Sequence, residues 1–221
     1  MGQLRERRDL FAITLVLTLL TATFITAAPE GDAAKLLTVA MLAATLVAAV
    51  TASGAGAPIL AAAWLLGLVA LAVAVAGVSS SAAPTTLPRI LSVVLVTVAP
   101  LALARGVLTE VRTYGVTLQT VFGAIAIYLL VGMLFSNLIG AVASIDQADY
   151  FGARGDGTSS ERLYFSFVTL ATLGYGDFVP ATQVGRSLAM LEGVLGQLYL
   201  VTIVSLLVGN MGRRRGGPAK P

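Results

Sequence analysis

Thr158-Ser-Ser-Glu-Arg-Leu-Tyr-Phe-Ser-Phe-Val-Thr-Leu-Ala-Thr-Leu-Gly-Tyr-Gly-Asp177 is the stretch on which the fold turns. It opens on a capping pattern. Thr158 is followed three residues later by Glu161, and the two can satisfy each other's free backbone N–H at a helix start. Leu163 to Gly176 then runs fourteen residues without a charge. Crossing a hydrocarbon core of about 30 Å takes roughly 20 helical residues, so this run is too short to cross. A helix over about 159–171 can reach the middle of a membrane and stop, at about 1.5 Å per residue. Asp177, Pro180 and Gly185 come close behind, so the chain is expected to turn back as a re-entrant loop. Irregular backbone at that depth is tolerated only where protein buries it or it lines a water-filled path. The C-terminal carbonyls of such a helix point a partial negative charge at the centre, which favours a cation.

The rest of the chain agrees with a membrane setting. Of its 221 residues, 57% are hydrophobic and 11% charged, with a mean hydropathy of +0.90. A soluble domain carries about 25% charge. The chain has no Cys, which excludes disulfides, thiolate chemistry and Cys-ligated metals. It has no His, which excludes imidazole catalysis and His-ligated zinc, copper or haem. The net charge is +3 and the sequence pI about 9.5. In a membrane protein that excess base belongs to cytoplasmic loops rather than to a nucleic-acid surface.

Working outward, the uncharged runs predict six spans, near 10–28, 34–52, 58–78, 88–105, 116–143 and 183–209. The turn between the second and third is Thr51-Ala-Ser-Gly-Ala-Gly-Ala-Pro58. The fourth contains Pro100 and has Arg89 and Arg105 at its ends, and a short interfacial helix is its alternative. Arg5, Arg7 and Arg8 before the first run also fit a signal peptide. That run is about 19 residues, however, and an ordinary signal core is about 7–15.

Six spans put both termini on one side. If that side is the cytoplasm, nine of the fourteen Lys and Arg lie inside and five outside, as the positive-inside rule asks. The outer face then holds those five bases against seven acids, which mildly favours cations.

Thr172-Leu173-Gly174-Tyr175-Gly176-Asp177 resembles the T-V-G-Y-G signature of the tetrameric potassium channels, with Leu where that family usually has Val or Ile. The resemblance extends from about Thr117 to Asn210. It implies an all-α membrane protein whose pore helix and filter lie between the fifth and sixth spans of a fourfold homotetramer. It implies that backbone carbonyls at Thr172, Leu173, Gly174, Tyr175 and Gly176 replace the water shell of the ion, with K+ bound at Thr172 to Tyr175. A column of inward carbonyls needs alternating backbone conformations, which Gly174 and Gly176 adopt freely. Thr172 adds a hydroxyl, and the Leu173 and Tyr175 side chains point away from the ion.

By the same resemblance, Tyr164 and Phe165 brace the filter and Asp177 ties its outer end to the pore helix. Gly196 falls at the hinge of the inner helix, with close helix packing as the alternative. Counting turns onward, Gln197, Leu200, Val204 and Val208 are expected to share one face, assigned to the cavity. K+ is the permeant ion, and no organic cofactor is implied.

Glu192 is the one acid expected inside a span, and such residues are functional candidates by default. Helical geometry turns it away from Gln197 and towards the pore helix, where Ser166 and Thr169 offer hydroxyls. The expectation is a neutral donor that braces the filter, and the rival is a cavity acid that concentrates K+.

The chain divides into three regions: an N-terminal four-helix membrane domain over 1–112, a pore module over 113–210 and a basic tail over 211–221. The N-terminal region has no row of regularly spaced Arg, so no voltage sensor is expected. Arg213, Arg214 and Arg215 read as a stop-transfer anchor, with anionic-lipid contact as the alternative. The remaining alternatives are a poorly selective cation channel, a non-conducting structural subunit, a transporter with pore loops and a membrane enzyme. A single loop counts against the transporter, and the missing His and Cys count against the enzyme.

Overall fold

The computed structural model describes residues 2–29, 31–79, 86–145 and 148–210. The basic tail with Arg213, Arg214 and Arg215 lies outside the described residues. Within them the chain runs through α1 (Gly2–Ala27), α2 (Asp32–Ala52), α3 (Ala57–Ser79), α4 (Thr86–Tyr114) and α5 (Leu118–Ile145). A short 3-10 turn at Gly152–Arg154 precedes α6 (Ser159–Leu170). Then α7 (Gln183–Leu198), a π-helical turn (Tyr199–Val204) and α8 (Ser205–Gly209) form one continuous helix. Six stretches are long and apolar enough to cross a membrane, the last being Gln183–Gly209. The chain is an all-α, multi-pass membrane protein.

The fourth helix differs most from its expected 88–105. It passes through Pro100, Arg105 and Arg112 and ends at Tyr114, where Gly115 takes φ +81°. Apolar runs mark where a helix meets lipid. They do not mark where its backbone hydrogen bonds stop, and α4 continues past its last apolar turn. Pro100 is accommodated because neighbouring helices can re-satisfy the carbonyl its missing N–H releases.

Helix α5 is the hub. It packs against α1, α4 and α6, while α3 lies outermost against α2 and α4. Gly123 permits the close approach of α1 and α4, since a Cβ there would lie 2.5 Å from Val107 Cγ2 and 2.9 Å from Phe11 Cδ1. In α1 the buried Thr14, Thr18 and Thr21 hydroxyls each donate to the carbonyl four residues back at 2.7 Å. These polar groups are satisfied within their own helix, so they can sit in the core without the cost of an unpaired donor. Helix α1 also meets the functional region, because the Ser160 hydroxyl donates to the Thr26 carbonyl at 3.0 Å.

Candidate functional site

The segment from Tyr150 to Arg186 leaves α5 and comes back to where it started. The Ala181 N–H donates to the Tyr150 carbonyl at 2.8 Å, and the Tyr150 hydroxyl donates to the Gly185 carbonyl at 3.2 Å. Between these ties lie α6 and the Gly-Tyr-Gly segment. Helix α6 starts as its sequence asks. Thr158 Oγ1 accepts from the Glu161 N–H at 3.1 Å, and Glu161 Oε2 accepts from the Thr158 N–H at 2.7 Å.

At the other end of α6 the backbone turns sharply. The Thr172 N–H bonds to the Thr169 carbonyl and the Leu173 N–H to the Val168 carbonyl, both at 2.9 Å. From there the conformation alternates. Thr172 has φ +58°, Gly174 +57° and Gly176 +80°, while Leu173 and Tyr175 have negative φ. Alternating hands along a chain bring successive carbonyls to one side. Thr172 is the one non-glycine residue with positive φ among the described residues. A β-branched residue there is an outlier and stores strain, of order 1–3 kcal/mol. No donor among the described residues engages the carbonyl oxygens of residues 172–176. A row of same-sided carbonyls without donors can coordinate a desolvated cation.

The residues that the resemblance expects as braces lie close to this segment and to one another. Tyr164 stacks on Tyr175 with ring centroids 6.4 Å apart and a 12° interplanar angle. Its hydroxyl lies within electrostatic reach of the Asp177 carboxylate. Phe165 lies in a buried cluster with Tyr150 and Phe151, in edge-on contact at 6.4 and 5.2 Å. Phe178 joins this cluster through Phe151, and Arg154 sits 4.9 Å over its ring.

Glu192 is fully buried, and Ser166 Oγ contacts its Oε1. Thr169 makes no hydrogen bond to it; its carbonyl faces Gly193 instead, 3.8 Å from where a Cβ would lie. Gly196 is buried, and a Cβ there would overlap the Leu170 carbonyl oxygen. At Gly196, α7 rests on the last turn of α6.

The cavity face departs from its expected form. An unbroken α-helix would group Gln197, Leu200, Val204 and Val208, but the π turn at Tyr199–Val204 lies among them. Its wider hydrogen bonds insert one residue and rotate the helix beyond it by about 100°. None of the four is buried.

Sequence reasoning missed several residues that shape the site. Gly132 on α5 admits α6, since a Cβ there would lie 2.7 Å from the Phe167 ring. The Tyr128 hydroxyl donates to the Leu170 carbonyl at 3.1 Å, and the Tyr199 hydroxyl donates to the Ala124 carbonyl at 2.8 Å. A glycine or tyrosine inside an apolar run was the available signal.

A sequence profile described as "Ion channel" matches residues 116–212, which contain all of this geometry. This part of the chain is similar to the ion channels that the profile describes. The chain is similar to the inward rectifier potassium channel Kirbac3.1 of Paramagnetospirillum magnetotacticum. The two are 31% identical over 101 residues, which is 45% of this chain and 34% of that one. It is 36% identical over 66 residues to the probable potassium channel protein 2 of Methanocaldococcus jannaschii, covering 30% and 17% of the two chains. With the potassium voltage-gated channel subfamily KQT member 1 of Squalus acanthias it shares 32% identity over 81 residues, covering 37% and 12%. The chain therefore spans about a third or less of the length of these relatives. No solved structure matches it. Helices α5, α6 and α7 of the matched segment are those that the resemblance expects as outer, pore and inner helices.

Proposed function

We propose that the protein is a potassium-selective channel that conducts K+ passively through the carbonyls of Thr172, Leu173, Gly174, Tyr175 and Gly176. The observation that carries this reading is the alternating backbone hand at Thr172, Gly174 and Gly176, at the end of a half-length capped helix. Four such segments around one axis make rings of carbonyls that replace the ion's hydration shell. The named potassium channels among its relatives support the same ion.

The working unit is a homotetramer with the filter on its axis. One chain supplies one quarter of each ring. In the single chain Tyr175 is 67% exposed and Leu173 58%, although both are apolar groups at membrane depth. Only 17% of the most apolar window of the last span is buried, against 44% for α5, which leaves a bare helix face for neighbouring copies. Residues 113–210 form the pore module and 1–112 a scaffold without a voltage sensor. The protein lies in the cell membrane with both termini in the cytoplasm, and Arg213, Arg214 and Arg215 anchor the tail there.

Reconstitution in liposomes tests this. Potassium flux that persists against a sodium gradient, with a reversal potential following potassium, is the expected result. Equal permeability to sodium would favour a poorly selective cation channel. No flux from a folded tetramer would favour a non-conducting subunit.

A further inference from the structure

Ser166 lies on α6 between two acceptors on two other helices. Its Oγ is 2.6 Å from the Gly132 carbonyl oxygen of α5, and it contacts Glu192 Oε1 of α7. A hydroxyl has one proton to give. A backbone carbonyl has none, and an ionised carboxylate only accepts. If Glu192 were ionised, one of the two close oxygen pairs would have no hydrogen in it and would repel.

The surroundings of the carboxyl group point the same way. Glu192 Oε2 is buried and has no partner. For a carboxylate that oxygen carries half the charge, and burying it unpaired is far costlier than burying a neutral carbonyl. Ser166, Tyr128 and Tyr150 lie within electrostatic reach of Glu192, and none of these three is basic. The two tyrosine hydroxyls are donated elsewhere, to Leu170 and Gly185.

We infer that Glu192 is a neutral carboxylic acid whose proton is donated to Ser166 Oγ, and that Ser166 donates in turn to the Gly132 carbonyl. The chain of two hydrogen bonds runs in one direction through three helices: inner, pore and outer. It makes Glu192 a positioning residue that registers α7 against α6. Gly132 completes it, because only a residue without a side chain lets α6 come this close. This chain of bonds does not depend on which ion, if any, passes the Gly-Tyr-Gly segment.

Infrared spectroscopy of the full-length protein in lipid reads this directly. The expected result is a carboxylic-acid carbonyl band at neutral pH that shifts on deuteration and on labelling with 13C-glutamate. It should be absent from Glu192→Gln and displaced, not lost, in Ser166→Ala. Absence of any glutamate-derived acid band from the folded wild-type protein would overturn the assignment, and this arm needs no variant. Glu192→Gln keeps a donor, so it should unfold within a few degrees of the wild type, whereas Glu192→Ala should unfold well below it. A Glu192→Gln protein as unstable as Glu192→Ala would show that the donor plays no part.

Discussion

The Ala181 N–H and the Tyr150 carbonyl, 2.8 Å apart, close a loop of about thirty residues on itself. Helix α6 and the Gly-Tyr-Gly segment both lie inside that loop. Helix α6 goes in, the Gly-Tyr-Gly segment comes out, and the tie holds both ends at one level. Tyr150 is 1% exposed, and its ring packs edge-on against Phe151 at 4.8 Å.

Tyr150→Phe should therefore cost about 0.5–1.5 kcal/mol, the worth of one hydrogen bond to the Gly185 carbonyl. Tyr150→Ala should cost about 3–5 kcal/mol by leaving a cavity among the aromatics. Thermal unfolding of the purified protein ranks the two, and the reverse order would mean that packing is not the main contribution here.

At Gly174, φ is +57° and a Cβ would meet nothing within 4 Å of the single chain. The cost of Gly174→Ala is conformational, about 1–2 kcal/mol for an L-residue in the left-handed region. The protein should still assemble, but selective potassium flux should be lost as the carbonyl row breaks. Unchanged potassium selectivity in this variant would remove the filter assignment.

Gly193 and Gly196 lie one turn apart on α7, yet they should behave differently. Gly196→Ala would drive a methyl group into the Leu170 carbonyl and should destabilise the protein by about 1–3 kcal/mol, as overpacking does. Gly193→Ala meets only the Thr169 carbonyl, at ordinary contact distance, and should be near neutral or stabilising. Paired unfolding curves test the contrast, and equal effects would mean that helix propensity, not contact with α6, governs this face.

Thr158→Ala removes the hydroxyl that accepts the Glu161 N–H and should cost about 1 kcal/mol. Thr158→Ser keeps the acceptor and should cost much less. A Ser variant as unstable as the Ala variant would assign the effect to the lost methyl group.

Conductance should depend weakly on voltage. A charge crossing the field contributes about 2.3 kcal/mol per 100 mV. Helix α4 holds Arg89 near its start and Arg105 and Arg112 towards its C-terminal end, with no base between Arg89 and Arg105. A steep conductance–voltage curve in bilayer recordings, equivalent to several charges per subunit, would contradict this.

The spans, the start of α6 and the place of the Gly-Tyr-Gly segment are legible in residue order. Each depends on a local rule: a minimum apolar length, a Thr–Glu spacing of three, and glycine where the backbone must change hand. The burial of Glu192 and its orientation towards α6 also come from helical angle, because that count spans only a few residues. The tertiary structure decides what depends on contact between helices. Ser166 rather than Thr169 meets Glu192 because α6 is rotated to place Ser166 between α5 and α7. Gly132 and Gly196 matter because they are points where α5 and α7 touch α6, and nothing in their neighbours' sequence sets them apart from other glycines in apolar runs. The π turn at Tyr199–Val204 redirects the end of the inner helix, which no fixed angle per residue anticipates. A local pattern carries the periodicity of an isolated helix, and only packing fixes where that periodicity is broken and which faces meet.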